Sequence, residues 1–387
     1  MDHVIDEPTH DFDFPPSAFT ALRRVLAVRP EAYAARRNHL DGPVTGLSPY
    51  ITHGYLDDTA LYAFWHKRFD LPAHKGLLSQ LAWRSFFHHV WFHLGDGIFD
   101  DQRPALTGVR YRNALPDDIL TASTGVPVVD ASIRTLYRTG YLHNHQRMWL
   151  ASYMVHLRKV AWRTGADWMY GHLLDGDLAS NHLSWQWVAG TFSTKPYLFN
   201  ADNVLRFAPA LASPGTAIDT GYEALADMAA SNTDVGPERQ RPHPLEAPPL
   251  LAIPAGLVGG RAGGLDGNTA RVLHPWSLAG RRGDHTLGFL CPGFHARFGW
   301  SARRWHFVLT RLKALCDDII VSDHLPEALR ANAQAIQTLN PGYRDALAAL
   351  PGDHLSAPPS ALPILDAPTR SCAQYMKRLG KLGLLPG

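Results

Sequence analysis

Cysteine is scarce in this 387-residue chain: Cys291, Cys316 and Cys372 are widely spaced and odd in number. That excludes a disulfide framework, and the spacing fits neither a zinc nor an iron–sulfur site, so no metal is expected. Cys291 and Cys316 read as buried small apolar groups, and a reducing cytoplasm is the simplest home. Charge is thin as well. Only 19% of residues are charged, and 37 basic against 35 acidic side chains leave a net charge of +2, so no overall field advertises nucleic acid. No apolar run reaches membrane-spanning length, and the acidic start MDHVIDEPTHDFDF is not a signal peptide. Internal repeats, a P-loop and a GxGxxG fingerprint are missing too. What is present is an apolar fraction of 45%, enough for a large core, which excludes a disordered, collagen-like or coiled-coil chain. The 21 histidines add positive charge as pH falls through about 6.5.

The length predicts two domains. Eight of the eleven tryptophans precede position 190 and three follow 275. Between them, residues 237–254 hold six prolines and residues 256–267 six glycines. Chain without donors followed by chain without side chains forms no core element, so 1–210, 211–268 and 269–387 read as a helical domain, a linker and a small α/β domain. Helical stripes cover 77–93, 128–139, a long 143–163 and Asp167 to about Leu174. In the last part TLGFL (286–290) and DIIVS (318–322) read as strands. Ser301 caps the helix between them, which makes a βαβ unit.

Chemistry concentrates in three blocks. Asp175 and Asp177 flank Gly176, with Asn181, Trp185 and Trp187 following. This turn reads as a partial metal loop, as a pair of acceptors for a heterocyclic cofactor, or as a helix end with an N-cap aspartate. Residues 131–166 contain no acid but five arginines, Lys159 and three histidines beside aromatic rings, a pattern suited to a phosphate-bearing ligand or a flipped base. Val44 to Ser48 offers small donors to a pyrophosphate.

In order and spacing these blocks resemble the FAD-binding half of the photolyase/cryptochrome family. The resemblance is carried by TGLSPYITHG (45–54), QLAWRSFFHH (80–89), TGVPVVDASIRTLYRTGYLHNHQRM (124–148) and LLDGDLASNHLSWQW (173–187), and it spans roughly residues 30–205. It implies a mainly α fold, a helical FAD-binding domain followed by a small α/β segment, with FAD held in a folded form. It implies cofactor contacts at Tyr33, Thr45, Gly46, Leu47, Ser48, Arg84, Asn144, Arg147, Asp175, Gly176 and Asp177, with Arg147 paired to Asp175 and Asn181 facing the reactive flavin nitrogen. Gln80, Trp83, Asn144 and Met148 fall where the family meets a DNA lesion, and Trp185 and Trp162 where it passes electrons to the flavin.

Several departures stand out against that pattern. The α/β antenna domain that precedes this region in the family is not in the sequence. Gly46 replaces an arginine near the phosphates, Gln80 replaces the glutamate that bonds a cyclobutane dimer, and the outer electron-chain tryptophan falls near Ile119. His145 also replaces an arginine and reads as a basic or proton-donating group. The resemblance implies a cytoplasmic, monomeric, light-driven lyase acting on ultraviolet-damaged DNA. The alternatives are a cryptochrome-like photoreceptor without repair activity, and a flavoenzyme that works in the dark.

Overall fold

The computed structural model describes residues 13–69, 76–257, 269–283, 285–316 and 318–385. Most of the acidic start and residues 258–267 of the glycine-rich run lie outside them.

The first half is helical because its apolar residues recur at helical spacing. Helix α1 (Gly76–Leu94) buries Leu77, Leu78, Leu81, Ala82, Phe86 and Val90 along one stripe. Helix α2 (Pro127–Thr139) starts on a proline, whose missing donor costs nothing there, and stops at Gly140, which takes the left-handed φ of 69°. Helix α3 (Asn144–Ser152) is capped by His143 and Gln146, whose side chains satisfy each other's backbone N–H. Helices α4 (Trp162–His172) and α5 (Leu178–Ala189) follow, joined by the acidic turn.

The long helix expected over 143–163 is broken. One wide turn (Tyr153–Leu157) follows α3, Lys159 turns to φ 52°, and Val160 pairs with Arg112. The expected helix from Asp167 is the second half of α4. The break satisfies two buried cations. Arg158 donates to Asp118 and Asp234, and Lys159 Nζ donates to the carbonyl oxygens of His156, Met228 and Ala229. Fixed acceptors for a buried charge outweigh the few backbone bonds that a continuous helix would add.

Residues 211–249, expected as linker, instead lie along the helical half. They contain a helix (Tyr222–Ala230) and bury Ile218, Leu225 and Ala229. Their backbone bonds run back to it, from Glu238 N to Thr124 O and from Leu245 N to Thr121 O. Proline removed donors, but scattered apolar residues and the remaining N–H groups still docked the segment.

The C-terminal part is larger than one βαβ unit. Strands β1 (Ala270–Leu273), β2 (Thr286–Leu290), β3 (Asp318–Val321), β4 (Ala333–Ile336) and β5 (Leu355–Ser356) form one parallel sheet in the order β3-β2-β1-β4-β5. Helix α6 (Ala302–Leu315) connects β2 to β3, and Ser301 Oγ accepts from Arg304 N as expected of its cap. Chain order reverses at β1, as in doubly wound sheets.

Two apolar clusters hold the molecule. One lies under α2 to α5. The other runs from Phe14 through α1 and Tyr170 into the sheet and on to Leu379. The α/β part is thus packed onto the helices. Tyr55 Oη donates to Phe307 O at 2.9 Å, and Leu362 N donates to Ser85 Oγ at 3.2 Å.

Candidate cofactor site

The site is organised by the turn between α4 and α5. Asp177 is the N-cap of α5, and its Oδ1 accepts from Ser180 N at 2.8 Å. Gly176 is required by close approach, since a Cβ there would lie 2.5 Å from Tyr170 O and 2.4 Å from Arg304 Nη1. Asp175 points to the other side. Arg147 Nη2 donates to both its oxygens, at 3.0 and 2.7 Å, and Ser48 Oγ donates at 2.5 Å. Arg147 is steadied by its bond to Leu142 O and lies over the Tyr141 ring.

Helix α1 presents Arg84 and His88, one turn apart, to Asp177 Oδ2 at 3.2 and 2.9 Å. Burial alone would push this carboxyl up. The charges of His88 and Arg84 and the hydrogen bonds it accepts hold it well below the usual carboxylate range. Asp58, 3.8 Å from Arg84 Nε, is raised by burial despite that arginine. His145 is pulled down to about 4 by burial and by the nearby charges of Arg37 and His39, so at neutral pH it is an uncharged imidazole.

These groups line one open cavity. Of the residues expected from sequence, Tyr33, Thr45, Ser48, Gln80, Arg84, Asn144, His145, Arg147, Asp175 and Asp177 form its wall. Others lie off it. Leu47 is in the core, and Asn181 donates its amide N–H to Ala166 O on α4. Met148 accepts from Asn144, and Trp83 stands 41% exposed beside Phe86 and Phe87. Trp185 is buried against Gly165, while Trp162 donates to Asp101 at 2.6 Å. Ile119 is fully buried in the core under α2 to α5. Gly46 adopts φ 58° beneath the guanidinium of Arg24, so a cation is retained beside the loop despite the lost arginine.

The acid-free run is largely neutralised by partners outside it. Arg147, Arg158 and Arg163 pair with Asp175, Asp118 and Asp167, and Lys159 is buried on carbonyl oxygens. Sequence reasoning passed over His88, Asp58, Ser180 and Arg304. His88 was legible, because it follows Arg84 by four residues on one helical face. A second, larger cavity lies between the helices and the ends of β1 and β4, and shares Ile51, Thr52, Arg84 and Asp177 with the first. Among the described residues, no group of three or more His, Cys, Asp or Glu gathers as a metal site, and no helix is long and apolar enough to cross a membrane.

Residues 77–233 match the family described as the FAD binding domain of DNA photolyase. Over these residues the chain is similar to that domain. A deoxyribodipyrimidine photo-lyase from Streptomyces griseus is 36% identical over 162 residues, 41% of this chain and 35% of that protein. One from Agrobacterium fabrum is 31% identical over 205 residues, 47% of this chain and 42% of that protein. The chain therefore spans well under half the length of these relatives. Among solved structures, a cryptochrome from Synechocystis covers 52% of this chain and 45% of its own at 24% identity, with a TM-score of 0.45.

The wall of the cavity fits the cofactor of this domain. Trp65 Nε1, Arg84 Nε, His145 Nδ1 and Ser180 Oγ are buried on wall residues without a hydrogen-bond partner. Such unmet capacity is costly unless a polar ligand meets it. Donors from two guanidiniums and acceptors from two carboxylates match a ligand that carries phosphates, ribityl hydroxyls and ring N–H groups.

Proposed function

We propose that this chain is a photolyase-type flavoprotein that binds FAD in the cavity between α1, α3 and the Asp175–Asp177 turn, and that it repairs pyrimidine dimers in DNA under blue light. The observation that carries the reading is the paired arrangement of Asp175 with Arg147 and of Asp177 with Arg84 and His88, in a domain matched to FAD binding. Bound FAD would supply light-driven one-electron chemistry.

The chain's own work is to hold and to exclude. Thr45 and the backbone N–H of Ser48, at the start of a short helix, would hold the phosphates and ribityl chain, while the Ser48 hydroxyl stays on Asp175. Arg84 and Arg147 fix the two carboxylates so that these accept from N–H and O–H groups without turning away. Tyr141 and Leu142 keep water off one side of the cavity. Gln80 on the wall and exposed Trp83 on the same helix would meet the extruded pyrimidine dimer, the amide by hydrogen bonding and the indole by stacking. Met148, packed on Asn144, adds apolar contact there. Trp185 and Trp162 would relay electrons inward, with Trp168, whose indole N–H donates to Tyr137 Oη at 3.3 Å, Trp149 or a tyrosine as the outer member.

A second reading, a photoreceptor without repair activity, is favoured by Gln80, whose amide has no proton to give to a dimer. The test is an absorption spectrum of the purified protein before and after blue light with a reductant, followed by addition of a thymine-dimer oligonucleotide. Flavin bands that bleach in light, then recovery of thymine absorbance, are expected. Bleaching without thymine recovery refutes repair and selects the photoreceptor, and a spectrum without flavin refutes both.

A further inference from the structure

We infer that Arg304, carried by the C-terminal α/β unit, is a positioning residue for the cofactor site: it holds the Asp175–Gly176–Asp177 turn and supplies a buried positive charge that offsets the two carboxylates. The inference rests on the FAD reading above and assigns a part in it to a segment outside the matched domain.

Arg304 stands in the first turn of α6 and is fully buried. Its Nη1 donates to Tyr170 O at 2.7 Å and its Nη2 to Gly176 O at 2.6 Å. The guanidinium is held between the Trp300 ring, 4.0 Å from its centroid, and the Tyr170 ring at 4.5 Å. Among the described residues no carboxylate forms an ion pair with it. Packing alone does not explain such a group, because a buried cation without a paired acid costs several kcal/mol that an apolar side chain would avoid.

The carbonyl that Arg304 grips belongs to the residue between the two site aspartates. A clamp on Gly176 O fixes the peptide from which both carboxylates project, one to each side. The donor set matches this job: a planar fork reaches the carbonyls of Tyr170 and Gly176 at once, which a lysine does not do with fixed geometry. Desolvation pulls Arg304 down from its ordinary range, while Tyr170, Asp175 and Asp177 raise it. The field of the two aspartates thus stabilises the same charge that orients them.

Arg84, Arg147 and Arg304 face Asp175 and Asp177, with His88 on Asp177 and Asp58 3.8 Å from Arg84. Replacing Arg304 by an uncharged residue removes one buried positive charge from this cluster and frees the turn to shift.

The experiment compares wild-type protein with Arg304→Gln, Arg304→Lys and, as a control on the same helix, the exposed Arg303→Gln. After far-UV circular dichroism establishes folding, FAD is titrated at low temperature and the flavin midpoint potential is measured. Arg304→Gln is expected to weaken FAD binding at least tenfold, equal to about 1.4 kcal/mol, and to lower the midpoint potential. Arg304→Lys keeps the charge but loses the fork, so it weakens binding severalfold while the potential stays near wild type. Arg303→Gln leaves both unchanged.

Folded Arg304→Gln with wild-type affinity and potential overturns the inference and leaves Arg304 as packing alone. If Arg304→Gln does not fold, Arg304→Lys decides, and wild-type affinity in that variant overturns it. If wild-type protein binds no FAD, the cofactor reading fails separately. Amide hydrogen exchange of the protein without FAD then carries the test. Faster exchange over residues 170–178 in Arg304→Lys, with 286–290 unchanged, supports the clamp, and unchanged exchange over 170–178 overturns it.

Discussion

Replacing Arg147 by methionine keeps most of the side-chain volume and removes the guanidinium from Asp175. The carboxylate side chain is 4% exposed and the arginine 25%, so the loss falls on a buried anion. Removing one partner of a fully buried pair costs about 3–5 kcal/mol. Ser48 Oγ still donates to Asp175, and Arg147 is partly wetted, which puts Arg147→Met near about 3 kcal/mol. Unfolding entropy of about 2.1 cal/mol/K per residue gives roughly 0.8 kcal/mol/K for a chain of this length, so the midpoint should fall by about 4 °C if the chain melts as one unit. Asp175→Asn leaves a cation that still reaches water and Leu142 O, and should cost about 1 kcal/mol. The double variant buries no charge there and should be more stable than Arg147→Met alone. Scanning calorimetry or urea titration of the four proteins closes the cycle, with a coupling of at least about 1.5 kcal/mol expected. Additive losses would refute the claim that Asp175 is held by this pair.

Asp177 is held below the usual carboxylate range, so its share of stability is present above the unfolded carboxyl's pKa of about 4 and lost as pH falls through the lower folded value. Melting temperatures from pH 3 to 7 should therefore drop on the acid side in wild-type protein and drop less in Asp177→Asn; parallel curves would refute this. Gly165→Ala places a Cβ 2.4 Å from the Trp185 ring inside a packed core, and should destabilise by about 1–3 kcal/mol as measured by urea denaturation. An unchanged midpoint would mean that the ring has room to move. With FAD bound, Trp185→Phe should slow light-driven flavin bleaching at least tenfold while leaving FAD affinity within twofold, as read by absorbance under constant illumination.

The sequence displayed its helices wherever one face was apolar and the ends carried their stop signals, as at α1 and α2. It failed where long-range charge decided the backbone. Nothing local to residues 143–163 announces that Arg158 and Lys159 find Asp118, Asp234 and the carbonyl oxygens of Met228 and Ala229 far along the chain, and those partners break the helix. The candidate site was legible as far as motif order carried it, because the Asp-Gly-Asp turn, Arg147 and Arg84 stand in fixed spacing to helix ends. Asn181 shows the limit, since spacing names the residue but not that its amide turns to Ala166 O. Arg304 was hidden for a different reason: an amphipathic helix with several basic residues reads as a wetted face, and only the assembled fold reveals the one turned inward. Strands β4 and β5, of four and two residues, were too short to show alternation.

The core shared by the helices and the sheet sets the order of events during synthesis. Hydrogen bonds that close it join residues 252, 277 and 301 positions apart in the chain. At a translation rate of about 5–20 residues per second, the α1 region waits roughly 12–60 s for the strands and loops that cover it. During that interval the apolar faces of Tyr55, Leu78 and Phe86 have no native cover, and contacts so distant in sequence form slowly even once the chain is complete. The nascent helical half is thus a client for holding chaperones, and a gene fragment that stops before residue 269 should yield aggregate rather than a small flavin-binding domain.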